Sequence, residues 1–215
     1  MKHKKVQQNS LPRICLISSG EADADKGILL LDQLNLLHAD IPCIVQIREK
    51  NLQTKQLLTL ALKARKIRLP AGSLLLCNER ADVALAAGLD GIHLPETAVP
   101  PDKLRAFAPL LIFGCSIHSP EALLLAEQSG ADYLLFGPVF DTPSKRKYGA
   151  PQGLKKLGEL CRASSLPVYA LGGVTPQNAA RCCDEGAYGT AGLSIFRDTS
   201  RMAETLEQFY SILNP

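Results

Sequence analysis

Gln46-Ile47-Arg48-Glu49-Lys50 sets an amide and two cations at alternate positions. On an extended segment this spacing sends Gln46, Arg48 and Lys50 to one side and Ile47 and Glu49 to the other. Such a group suits an anion, above all a phosphate or pyrophosphate, because Arg offers a planar fork and Lys a compact charge. Further along, Asn78-Glu79-Arg80 and His93-Leu94-Pro95-Glu96 each carry a carboxylate. Glu79 and Glu96 are either two ligands for a shared magnesium ion or a helix-start acid and a loop acid. In Gly114-Cys115-Ser116-Ile117-His118-Ser119 an imidazole stands just before a capped helix start. His118 is therefore the leading acid/base candidate, able to move a proton near neutral pH. Gly137 to Gly149 is a long polar loop whose cations, Lys145 among them, suit a lid over a ligand. Gly172-Gly173 and Gly192-Leu193-Ser194 can turn backbone N–H groups toward a phosphate.

These residues recur at the ends of short apolar runs. Eight runs read as strands: Arg13 to Ser18, Cys43 to Ile47, Ser73 to Cys77, Gly91 to Leu94, Leu111 to Cys115, Tyr133 to Phe136, Val168 to Leu171 and Gly189 to Gly192. Between them lie amphipathic stretches with apolar residues three or four apart: Asp25 to Leu37, Thr54 to Ile67, Arg80 to Ala87, Asp102 to Phe107, Pro120 to Ser129, Gly153 to Ala163, Pro176 to Glu185 and Arg201 to Leu213. Ser119-Pro120 and Thr175-Pro176 give two helix starts a cap followed by proline. The strand runs are continuously apolar, as in a parallel sheet covered on both faces. Eight such units predict an α/β protein with a single (β/α)8 TIM barrel over residues 13–215, preceded by a disordered basic arm over residues 1–12. In that fold the loops after the strands build the active site, where all the groups above fall; His93, nearer the barrel wall, is expected to be structural.

Composition narrows the partners. Charged residues make up 21% of the chain and hydrophobic residues 46%, and no apolar run is long enough for a membrane span. The net charge of +3 is carried by Lys2, Lys4 and Lys5, which leaves 21 basic against 21 acidic residues elsewhere. No nucleic-acid footprint is therefore expected. Met1 to Asn9 has no apolar stretch for a secretory signal, and the seven scattered cysteines show no metal spacing. A cytoplasmic protein with structural thiols is expected, and homodimer formation is left open.

The motifs together resemble the thiamine phosphate synthase and TenI family of barrels. The resemblance rests on Gln46-Ile47-Arg48-Glu49-Lys50, Asn78 with Arg80 and Asp82, Gly91-Ile92-His93, Gly114-x-Ser116-x-His118-Ser119, Gly137-Pro138-Val139-Phe140-x-Thr142, Lys145, Gly172-Gly173-Val174-Thr175-Pro176 and Gly192-Leu193-Ser194. It implies a small phosphorylated heterocycle, a thiazole phosphate, as ligand. Synthases of the family join a pyrimidine pyrophosphate to a thiazole phosphate with Mg²⁺; TenI-like members aromatise a thiazole phosphate carboxylate by proton transfer and need no cofactor. Glu79 stands where synthases have Asp, Ala98 lies near the place of a second acid, and His93-Leu94-Pro95 resembles the TenI branch. The leading expectation is accordingly a thiazole tautomerase, an isomerase. In it His118 moves the proton, Gly172, Gly173, Gly192, Leu193 and Ser194 hold the phosphate, and Arg48 or Lys50 holds the carboxylate with Lys145 on the lid. The alternative is a synthase, in which Gln46, Arg48, Lys50, Asn78 and Lys145 bind the pyrimidine pyrophosphate, Ser116 lies near it and Glu79 retains Mg²⁺. A third reading is a regulatory barrel that binds phosphate without turnover.

Overall fold

The apolar runs form a closed parallel barrel in which each strand pairs with the next and β8 returns to β1. The strands are β1 (Ile14–Ile17), β2 (Cys43–Ile47), β3 (Leu74–Asn78), β4 (Gly91–Leu94), β5 (Ile112–Ile117), β6 (Tyr133–Phe136), β7 (Val168–Leu171) and β8 (Gly189–Gly192). This computed structural model describes residues 11–20, 27–142 and 150–214. Around the barrel lie α1 (Ile28–Asn35), α2 (Thr54–Arg65), α3 (Ala81–Ala87), α4 (Pro101–Arg105), α5 (Pro120–Gln128), α6 (Gly153–Ala163), α7 (Pro176–Asp184) and α8 (Met202–Leu213). Short 3₁₀ turns occupy Ser194–Phe196 and Thr199–Arg201.

Strand alternation divides the core in two. Cys43, Val45 and Ile47 of β2 join Leu75, Cys77, Ile92 and Leu94 in the layer between sheet and helices. The opposite parity, Cys15, Ile17, Ile44, Leu76, Tyr133, Leu135, Tyr169 and Ala191, fills the barrel itself. Gly114 on β5 is required there: a Cβ at that position would stand 2.1 Å from the Tyr133 ring. Tyr133, Tyr169 and Tyr188 then stack edge to face at 5.4 and 5.5 Å between centroids. Tyr169 closes the lower end by donating its hydroxyl to the Pro12 carbonyl at 2.6 Å.

Two strands run further than their apolar residues. β3 continues to Asn78 and β5 to Ile117, because Asn78 and Ser116 turn polar side chains into the barrel while their backbones stay in the ladder. The first helix described covers Ile28–Asn35 and follows Gly27, which has a left-handed φ of 81°; Asp25 and Lys26 of the expected stretch lie outside the described residues. Residues 1–10 of the expected arm lie outside the described residues; Leu11 and Pro12 are buried against the barrel. Among the described residues, no helix is long and apolar enough to cross a membrane.

Candidate active site

The upper ends of β2 to β5 carry a connected row of polar side chains. Gln46, only 1% exposed, donates from Nε2 to Asn78 Oδ1 at 2.8 Å. Asn78 passes the contact on, donating from Nδ2 to Glu79 Oε2 at 2.8 Å. Glu79 also faces Lys50, with Nζ 4.0 Å from Oε2. The row is not saturated, since Gln46 Oε1 is buried with no partner among the described residues. A buried carbonyl oxygen left unpaired is uncommon and leaves room for one more donor.

Backbone geometry holds this row in place. Glu79 has φ 61°, and it is the non-glycine with positive φ among the described residues. Its N–H donates to the His93 carbonyl at 2.9 Å, and the next N–H, of Arg80, returns to the Asn78 carbonyl at 2.8 Å. That i→i+2 bond makes a tight γ-turn around Glu79, a strained geometry of the sort that concentrates at functional sites. Arg48 is anchored through its own N–H to Ser18 Oγ at 2.8 Å. Its guanidinium passes beside Gly20, whose missing Cβ would lie 3.5 Å from Nη1. The expected sharing of one face by Gln46, Arg48 and Lys50 thus takes the form of one buried amide, one half-buried guanidinium and one exposed ammonium.

β4 and β5 add a second cluster. His93 is 2% exposed, with Nε2 2.9 Å from Ser116 Oγ and Nδ1 3.2 Å from Tyr133 Oη. Burial, with the Arg48 charge adding to it, pushes the His93 pKa down to about 3, so the ring is neutral. His93 was expected to be structural; it stands inside the barrel, touching a candidate site residue. The parity of β4 could have revealed this, because His93 pairs in register with Asn78 and Gly114, both inward positions.

His118 lies beyond the end of β5 and is exposed. Its Nδ1 is 2.9 Å from the Gly137 carbonyl. Gln152 donates to the same carbonyl at 3.0 Å, and Lys156 donates to the His118 carbonyl at 2.7 Å. Neither Gln152 nor Lys156 carried a signal in the sequence, since they sit 34 or more residues away, at the N-cap of α6 and within it. Lys145 lies outside the described residues.

The glycines after β7 and β8 form the far wall. Gly172 and Gly173 have φ of 93° and 65°, and a Cβ on either would meet Pro138 at 2.6 Å or Phe140 at 2.8 Å. They are thus needed for the close approach of the β6 loop as well as for their φ. Asn178 pins the turn by accepting from Thr175 N at 2.8 Å and donating to the Gly173 carbonyl at 2.9 Å. Among the described residues, the N–H groups of Gly173, Val174 and Leu193 make no backbone hydrogen bond. Gly192 is buried and the 3₁₀ turn from Ser194 stands beside it, so these groups lie after strands seven and eight, where (β/α)8 barrels commonly place a phosphate. A separate cavity of about 220 Å³, lined by Arg13, Pro42, Gly72 and Tyr188, lies at the other end of the barrel, far from this chemistry.

One family model, described as thiamine monophosphate synthase, matches residues 14–196. The chain belongs to this family. A protein of Aquifex aeolicus, provisionally named thiamine-phosphate synthase 2, is 44% identical over 153 residues, covering 71% of this chain and 82% of its own length. The thiamine-phosphate synthase of Methanoculleus marisnigri is 40% identical over 152 residues, 70% of this chain and 72% of its own. Among solved structures, the thiamine phosphate pyrophosphorylase of Pyrococcus furiosus superposes with a TM-score of 0.79 and 27% identity over 96% of both chains.

These relatives correct the expected activity. The tautomerase, and with it the isomerase class, gives way to the transferase, because the similar family members are named synthases. Glu79, Ala98 and His93-Leu94-Pro95, the positions that resemble the TenI branch, are a handful set against identity spread over 71% of the chain. Glu79 in particular keeps the carboxylate function of an aspartate, longer by one methylene and held by Asn78.

Proposed function

We propose that this protein is a thiamine-phosphate synthase, joining a pyrimidine pyrophosphate to a thiazole phosphate with release of diphosphate. The reading is carried by the Gln46–Asn78–Glu79–Lys50 row, which ends in a buried carbonyl oxygen without a partner. An amino group on the pyrimidine supplies the donor Gln46 Oε1 lacks. Lys50, Arg48 and Ser116 face the diphosphate. The phosphate of the thiazole takes the N–H groups of Gly173, Val174 and Leu193, with Gly172, Gly192 and Ser194 shaping the turns. Both reactants are then held across one mouth in an orientation that replaces a bimolecular encounter.

Mg²⁺ fits this site in a limited way. Among the described residues, no group of three or more His, Cys, Asp or Glu side chains converges, so the protein builds no closed cage. Mg²⁺ commonly uses one or two carboxylates plus substrate phosphates, and Glu79 supplies one. When bound, the ion neutralises charge on the departing diphosphate. The thiazole nitrogen attacks through its lone pair and carries no proton to lose. His118 is therefore released from the role of general base and serves to join the β5 and β6 loops.

The deciding experiment incubates purified protein with pyrimidine pyrophosphate and thiazole phosphate, with and without Mg²⁺, and follows thiamine phosphate by mass spectrometry. Magnesium-dependent product is expected. Folded protein that yields none overturns the proposal, and saturable thiazole phosphate binding without product would leave the non-catalytic barrel in its place.

A further inference from the structure

The Ser116–His93 contact has the atoms of a nucleophile and its activating base, Oγ 2.9 Å from Nε2. Which way it works depends on where the ring hydrogen lies, and Tyr133 decides that. Its ring is fully buried in the barrel, and among the described residues its Oη has a single hydrogen-bond partner, His93 Nδ1 at 3.2 Å. Gly114 makes room for that hydroxyl, since a Cβ there would stand 2.3 Å from Oη. A phenol has one hydrogen to donate, and a neutral imidazole has one N–H and one lone pair. If Nδ1 carried the hydrogen and donated to Tyr133, the phenolic hydrogen would remain unpaired in an apolar interior, the costly outcome for a buried polar group. If Tyr133 donates to Nδ1, every hydrogen is used: the ring N–H is on Nε2 and donates to Ser116 Oγ.

We propose that Tyr133 and His93 are positioning residues that turn the Ser116 hydroxyl outward as a hydrogen-bond donor to the diphosphate. Ser116 Oγ has its lone pair engaged from below by His93, and its hydrogen points to the mouth, where Arg48 and Lys50 also stand. Wired in this direction the pair cannot deprotonate Ser116, so the serine is no nucleophile, in contrast to pairs whose imidazole lone pair faces the hydroxyl. An anionic ligand is favoured, because the hydrogen left free on Ser116 Oγ needs an acceptor at the mouth. The identity of the anion rests on the synthase reading; the direction of the hydrogen bonds does not.

Two-bond nitrogen–proton correlation spectra of histidine-labelled full-length protein report the tautomer directly, with His93 assigned from variants at the three other histidines. The Nε2–H form is expected at His93, in the wild type and in Ser116→Ala. Tyr133→Phe removes the donor to Nδ1 and is expected to give a mixture of tautomers. Titration with inorganic pyrophosphate and Mg²⁺ is expected to give Kd about tenfold weaker in Ser116→Ala, the size of one lost hydrogen bond to a charged group, and about twofold weaker in Tyr133→Phe, where an even mixture leaves about half of the molecules in the competent tautomer. An Nδ1–H tautomer in the wild type overturns the proposal without any variant having to fold. Unchanged pyrophosphate affinity in Ser116→Ala overturns the donor role even if the tautomer is as stated. Absence of thiamine phosphate in the turnover assay, with the tautomer and the affinity loss intact, would instead count against the synthase reading alone.

Discussion

Glu79 is the residue at which stability and chemistry pull apart. A non-glycine side chain at φ 61° costs about 1–2 kcal/mol relative to ordinary backbone, and an Asn tolerates that region better than a Glu. Its ion pair with Lys50 returns little, since both side chains are near half exposed and 4.0 Å apart. Glu79→Asn is therefore expected to raise unfolding free energy by about 0.5 kcal/mol in urea titration while sharply reducing Mg²⁺-dependent turnover. A variant less stable than the wild type would show that the turn stores no strain. His118→Ala tests the companion claim. With no proton to remove from the thiazole, turnover should fall by less than about tenfold, below the range for general-base loss; a deeper loss would restore His118 to the chemistry. At this scale the sequence was legible where residue type and parity agreed, as for Gln46 and Asn78. Tyr133 was not, because a tyrosine inside an apolar strand reads as core until its hydroxyl is seen against His93.

Elements hold the mouth in register through a device repeated at the lower end of the barrel. Asp90 and Asp132 stand one residue before β4 and β6, and each carboxylate accepts from the backbone of the preceding strand, at Leu75 N and Phe113 N, both 2.8 Å. The two differ in what neutralises them. Asp132 pairs with Arg105 at 2.8 Å with both side chains largely buried, and Arg105 also donates to the Gly130 carbonyl and lies 4.5 Å over the Phe113 ring. Among the described residues, Asp90 has as its cation Arg65 alone, at 3.9 Å and half exposed. Arg105→Ala is expected to cost about 2–3 kcal/mol by leaving a buried carboxylate short of its cation, and Arg65→Ala no more than about 0.5 kcal/mol. Equal losses in thermal or urea unfolding would refute the distinction. Helix and strand placement was readable because capped starts such as Ser119, which accepts from Ala122 N at 3.1 Å, and unbroken apolar runs are local signals. The extension of β3 and β5 by polar residues was not local: Asn78 and Ser116 stay in the ladder because the barrel interior above the tyrosine layer is itself polar.

The whole molecule separates a packed lower half from a polar upper mouth, and His93 sits at their boundary. The branch of the family was less legible than the barrel, because the positions weighed for it, Glu79, Ala98 and His93-Leu94-Pro95, are few against the length of the shared fold. Burial does leave a readable mark on the molecule's stability. Five thiols, at Cys77 and Cys161 pushed up to about 11 and at Cys43, Cys115 and Cys182 up to about 12, stay protonated and contribute no pH dependence near neutrality. His93 differs, with a folded pKa of about 3 against an ordinary 6.5. As pH falls below 6.5 the unfolded chain takes up a proton that the folded protein refuses. The stability is thus complete above 6.5 and is lost on the way down toward 3, at about 1.4 kcal/mol per pH unit once the unfolded ring is protonated. Carboxylates held low by their partners, such as Asp82 beside Arg80, act only at more acid pH. Between pH 7 and pH 5, metal-free wild type should lose about 2 kcal/mol in urea titrations beyond whatever loss His93→Gln shows, whatever the variant's absolute stability. Parallel pH profiles for the two proteins would mean that the ring is protonated, or reached by water, in the folded barrel.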